Sequence, residues 1–135
     1  MQEFSLLDND YKPFISGINA GVPSVLVSHN IVESMDGNYP ASLSKKVHDE
    51  LRNVLRFSGV IMTDDLAMNA VSSIDDVIVK AVLAGNDILM VADYEESFKS
   101  IKDSLLNGRL SEELIDNAVH RIISWKYYKG LFYDK

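Results

Sequence analysis

A parallel α/β sheet is the fold class this sequence predicts, and three observations predict it. Apolar runs at residues 25–27, 60–62 and 88–91 lack the polar alternation of half-exposed strands, as strands buried on both faces do. A helical pattern follows each run, which is the order of strand–helix units. Gly21, Gly85 and Gly108 close helical stretches, since a left-handed residue ends a helix. We therefore expect parallel strands near residues 24–28, 59–63 and 87–91, within one domain spanning residues 1–135.

The elements follow in order. Phe14 and Ile18 share a helical spacing, and Asp10 is expected to cap that helix. After the first strand, Asp36, Gly37, Asn38 and Pro40 mark residues 31–41 as a loop. Leu43, Val47, Leu51, Val54 and Leu55 then line one face of a helix. Beyond the second strand, Ser73 with Asp76 forms a capping-box pattern, Asp replacing the usual Glu, ahead of Val77, Ile78, Ala81 and Val82. Asp93 with Glu96 repeats the pattern before Phe98, Ile101 and Leu105. Ser111 opens a last helix carrying Leu114, Ile115, Ala118, Ile122 and Trp125 on one side.

Composition excludes several classes. With 47% hydrophobic residues the chain has ample material for a core. Thirteen basic against 20 acidic residues give a net charge of -7, unlike a nucleic-acid surface with its clustered Lys and Arg. There is no cysteine, so disulfides and thiolate metal sites are excluded. His29, His48 and His120 are spaced too widely for a metal-ligand pattern, and His48 and His120 fall in helical patterns where surface positions are expected. No apolar run approaches the roughly 20 residues of a membrane span. The amino terminus shows no signal-peptide pattern. The compartment is unreadable, with the cytoplasm favoured.

The chemistry concentrates where the second strand runs out. Gly59-Val60-Ile61-Met62-Thr63-Asp64-Asp65-Leu66-Ala67-Met68 carries an apolar run straight into two carboxylates. Parallel α/β folds place their active sites at the carboxyl ends of strands. Burying an unpaired carboxylate costs several kcal/mol or more, so the pair must reach solvent, a partner or a helix end. One reading is a helix start capped by Asp64 or Asp65.

The other comes from a resemblance. "GVIMTDDLAM" resembles the nucleophile motif of glycoside hydrolase family 3, particularly its bacterial β-N-acetylhexosaminidases. "DYKPF", "VLVSH", "PASLS", "LRNVLRFSG", "AVLAGNDILMV" and "AVHRIISWKYYKGLF" resemble further segments of that family, in the family's order, from Asp10 to Phe132. Val54 departs from the charged or amide residue usual in relatives. The family's catalytic domain is an eight-stranded (β/α)8 barrel or a close variant. The resemblance thus implies a partial TIM barrel, about three parallel strand–helix units from its carboxyl-terminal part. The Lys-His segment and the Asp-His loop that supply the family's acid/base would lie in the other part, outside these residues.

By the same resemblance Asp64 is the nucleophile of a retaining hydrolysis of terminal β-linked N-acetylglucosamine, from cell-wall or chitin-derived sugars. No cofactor is implied. Consecutive strand residues face opposite sides, so Asp65 cannot share a cleft with Asp64 and is expected to brace the next loop. His29 ends the first strand on the same rim, where it either hydrogen-bonds a sugar hydroxyl or holds a backbone carbonyl. Met68 matches the motif and either lines the sugar pocket or packs in the core. A Mg²⁺ or phospho-acceptor site on Asp64 and Asp65 would want a strand-end Lys, which Ser28-His29 and Ala92-Asp93 do not supply. A part of a barrel also exposes apolar sheet edges. The chain is therefore expected to form a homo-oligomer or to require the missing amino-terminal barrel half, and to be inactive alone. The alternative is a non-catalytic α/β binding or assembly module.

Overall fold

The computed structural model describes the backbone of residues 3–132, and side chains from residue 9 of these. Its sheet is parallel and three-stranded in the order β1–β2–β3: β1 Ser24–Val27, β2 Val60–Asp65 and β3 Ile88–Met90. The helices are α1 Glu3–Asn19, α2 Lys45–Asp49, α3 Val77–Ala84, α4 Tyr94–Leu106 and α5 Glu112–Tyr128. The three expected strands pair as expected, Ser24 to Val27 facing Val60 to Thr63 in unbroken register. β2 runs two residues past its expected end, so Asp64 and Asp65 both lie within the strand. No described helix is long and apolar enough to cross a membrane.

One face of the sheet is covered. Val27 and Ile61 pack with Leu51 and Phe57, and Val47 of α2 lies against them. Leu66, Val71 and Ala81 of α3 enclose Leu89 on the β3 side. Val79 and Val82 join α3 to α4 and α5 through Ile101, Leu105, Leu114 and Ile115. The opposite face carries Leu26, Met62 and Met90 by strand alternation. Here Leu26 is 51% and Met90 44% exposed.

At the amino-terminal rim, Asp87 ties four segments together. Its side chain, 1% exposed, accepts from Arg52 Nη2 and Arg121 Nη1, both at 2.7 Å, and from the Ile61 N–H at 2.8 Å. Arg52 also donates to the carbonyls of Phe57 and Gly59 and lies over the Phe57 ring. Burial draws the Arg52 guanidinium below its ordinary pKa, and the Asp87 charge opposes that shift. Gly59 enters β2 where only glycine fits, because a Cβ there would overlap the Pro23 carbonyl oxygen and the Phe57 ring.

Caps and stops mostly follow the sequence. Ser111 accepts from the Leu114 N–H, Asp93 from the Glu96 N–H, and Gly21, Gly85 and Gly108 all take positive φ. Four expectations are corrected. Asp10 does not cap a helix: α1 begins before it and runs through Pro13. Residues 43–55 are not one helix but a 3₁₀ turn Ala41–Leu43, then α2, then a π turn Glu50–Val54. Ser44 starts α2 by accepting from the Val47 N–H, and the wider π turn carries Val54 out to 60% exposure. Ser73 and Asp76 form no capping box. Asp76 sits left-handed (φ 55°) before α3 without a side-chain cap, and its carboxylate pairs with Arg109. His48 is not at the surface but 1% exposed. Its ring lies beside Gly85, and Nδ1 donates to the Ser44 carbonyl at 2.8 Å.

Candidate active site

β2 delivers Asp64 to the carboxyl-terminal rim through an irregularity. Met62 faces Ile88 and Asp65 faces Met90, so β2 holds one residue more than β3 across that interval. Such a bulge breaks the ladder and re-aims a side chain. Thr63, fully buried, closes the gap by accepting the Met90 N–H on its hydroxyl at 3.0 Å. The Asp64 carboxylate is partly exposed, and Oδ1 accepts the N–H of Asp65 at 2.8 Å. Among the described residues nothing else donates to it. It retains most of its acceptor capacity for something outside the chain.

Asp65 has the bracing role expected of it. Its Oδ1 accepts the Ala67 N–H at 2.9 Å, and its carbonyl accepts the Met68 N–H at 3.0 Å, closing the turn that leaves the strand. Neither Asp64 nor Asp65 caps a helix, since α3 starts only at Val77. Met68 stands on that turn 46% exposed, so it is not a core residue.

His29 shares the rim, and both its ring nitrogens have partners within the chain. Nε2 lies 2.9 Å from the Asp65 carbonyl oxygen and Nδ1 lies 2.7 Å from the Ser42 hydroxyl. Of the two alternatives the sequence left open, the geometry is that of the carbonyl holder. Ser42 is a site residue the sequence reading missed. It lies within "PASLS", but nothing in that string announces that its hydroxyl meets a histidine 13 residues earlier.

The loop before α2 carries a further carboxylate. Asp36 accepts from the Ser44 hydroxyl at 2.7 Å and from the Asn38 N–H at 3.1 Å. The Ser44 bond first, then the Asn38 bond, holds its pKa below the ordinary 3.8. Both its oxygens serve the loop, so it is not a catalytic candidate. A cavity of about 380 Å³ lies beside the β2 exit, lined by Leu66, Ser72, Asp93, Glu96 and others. Asp64 does not line it.

Comparison with known proteins bears on this geometry. A β-N-acetylglucosaminidase of glycoside hydrolase family 3 from Paenibacillus sp. FPU-7 superposes with a TM-score of 0.83 at 33% identity, over 91% of this chain and 25% of that one. A β-hexosaminidase of Xanthomonas campestris is 33% identical over 108 residues, 76% of this chain and 33% of its own length. The periplasmic β-glucosidase of Salmonella typhimurium is 28% identical over 135 residues, 95% of this chain and 17% of its own length. The chain thus spans a third or less of these relatives. The profile "Glycosyl hydrolase family 3 N terminal domain" matches residues 1–125. With nearly the whole sequence inside that match, the chain belongs to glycoside hydrolase family 3.

Proposed function

We propose that this chain carries the nucleophile of a retaining β-glycosidase, and that the nucleophile is Asp64. One observation carries the reading: a half-open carboxylate, nearly free of donors within the chain, stands in a bulge at the carboxyl end of a central parallel strand. Family membership gives that carboxylate its chemistry. Asp64 attacks the anomeric carbon as the glycosidic C–O bond breaks, the departing alcohol taking its proton from the acid/base of the other barrel half. Water, deprotonated by that same group, then cleaves the glycosyl–Asp64 ester and releases the sugar. The substrate is a terminal β-linked N-acetylglucosamine, which the names of several relatives support. β-Glucosidase relatives make a glucoside the competing substrate. Met68, exposed on the turn after Asp64, lines the sugar site.

The proton donor is not among these residues. The Lys-His segment and Asp-His loop of the hexosaminidase branch match nothing in the 135 residues, so we expect no turnover by the chain alone. General acid/base catalysis is typically worth about 10²–10⁴-fold, more than a glycosidic leaving group can forgo. Joining the chain to an amino-terminal half bearing that segment should restore hydrolysis of an aryl N-acetylglucosaminide, and Asp64→Ala should then abolish it. Full activity of Asp64→Ala with loss in Asp65→Ala would move the nucleophile by one residue. Faster cleavage of the matching aryl glucoside would reverse the substrate.

A non-catalytic assembly module is the second reading. Leu26 and Met90, exposed on the uncovered sheet face, favour it. Either reading entails a homo-oligomer or a covering half. A monodisperse monomer in sedimentation with cooperative, high-temperature unfolding would count against both.

A further inference from the structure

The strand that presents Asp64 is held on both flanks by side chains, at the points where the backbone ladder lapses. On the β3 side the Thr63 hydroxyl bridges the bulge to Met90. On the β1 side, pairing stops at Val27 opposite Thr63, and the chain leaves the sheet. Two residues on, His29 reaches back to the Asp65 carbonyl. A carbonyl only accepts, so Nε2 carries the proton. In the neutral ring Nδ1 is then an acceptor, and the Ser42 hydroxyl donates to it.

Ser42 is itself immobilised. It is fully buried, its N–H donates to the Ser28 carbonyl, and its carbonyl accepts from Asn86 Nδ2 at 2.8 Å. Asn86 also donates to the Ala81 carbonyl in α3. A continuous run of hydrogen bonds therefore leads from α3 through Asn86, Ser42 and His29 to the carbonyl of Asp65, the residue after Asp64. We propose that Ser42 and His29 are positioning residues for Asp64, locking the bulged strand end so that its carboxylate keeps one direction.

The pattern argues for positioning rather than for folding. The Asp65 carbonyl already accepts from the Met68 N–H, so removing His29 leaves no orphaned backbone group. What His29 adds is a link on the β1 flank, where the ladder has ended, while on the β3 flank the Leu66 N–H still donates to the Met90 carbonyl. Catalytic groups need supporting shells of this kind, because a carboxylate free to swing is seldom in line for attack. The catalytic meaning of the lock rests on Asp64 being the nucleophile. Its mechanical part does not.

Nuclear magnetic resonance of the ¹⁵N-labelled 135-residue chain tests it. The His29 ring should show one fixed tautomer, protonated at Nε2, unmoved by added N-acetylglucosamine. His29→Ala and Ser42→Ala should lower the amide order parameters of Asp64 and Asp65 from about 0.85 to below about 0.6, leaving Val60 to Met62 rigid. A ring averaging between tautomers would overturn the proposal in the wild-type chain, whether or not the variants fold. So would a ring whose Nε2 responds to the sugar, or folded variants in which Asp64 and Asp65 stay as rigid as before. Loss of the nucleophile assignment through Asp64→Ala in the completed enzyme would leave these spectra unchanged, so the two ideas fail separately.

Discussion

Asp87 and Asp64 stand at opposite ends of the same small sheet, one just before β3 and one near the exit of β2. Asp87 is buried, and its two oxygens meet two guanidinium groups and a backbone N–H. Asp64 is partly exposed and meets a single N–H, that of its own neighbour. Near-identical chemistry is thus used in opposite ways. At the amino-terminal rim every acceptor is matched, because an uncompensated charge there would be costly. At the carboxyl-terminal rim the acceptors are left open and the backbone around them is braced instead. A carboxylate saturated by its own chain is a structural part, while one supplied with braces but not with donors keeps its acceptors open.

Removing Asp87 is the harshest way to break the comparison. Asp87→Ala leaves Arg52, largely buried, without its counter-charge and should destabilise the chain by about 3–5 kcal/mol in denaturant titration. A change below about 1 kcal/mol would mean that the two arginines find water as easily as the Asp64 rim does. Gly59→Ala probes the same rim through sterics. The added methyl meets the Pro23 carbonyl, and overpacking of this kind should cost about 1–3 kcal/mol by the same titration.

Asp36 sharpens the comparison on the carboxyl-terminal side, because its hydrogen bonds show as a pH dependence. Its pKa is lower in the folded chain than its ordinary value, so it stabilises the fold at pH above that value. That contribution is lost as the pH falls through the folded value. The stability gap between the wild type and Asp36→Asn should hold constant above about pH 5 and close below the ordinary aspartate value of about 3.9. A gap that persists in strong acid would assign the effect to shape instead of charge. The smallest effect belongs to Asp64. Asp64→Ala should change the unfolding free energy by no more than about 0.5 kcal/mol, the usual range for surface changes away from special features. A loss comparable to that of Asp87→Ala would make Asp64 a structural residue and erase the contrast.

Some of this was legible before folding. The three strands, their parallel pairing and the stops at Gly21, Gly85 and Gly108 follow from apolar runs, helical spacing and the backbone freedom of glycine, all properties of neighbouring residues. The same holds for the Ser111 and Asp93 caps, which act over three residues. The Asp64-Asp65 pair stood out because carboxylates at the end of a buried strand are anomalous within a ten-residue window, and the family resemblance chose Asp64 of the two. Where local rules failed, a distant partner had won. Asp76 gave up capping α3 for Arg109, 33 residues away. His48 is buried against Gly85, a residue far along the chain. The bulge at Thr63 depends on the register of β3, and the link from Ser42 through His29 to Asp65 joins residues 13 and 36 positions apart. Sequence alone determined which segments become strands and that two carboxylates lie at the end of β2, because those are set by periodicity and residue order. Only the tertiary structure decided which polar groups are satisfied and which are left open, because hydrogen bonds are short and directional and their partners meet only once the chain has packed.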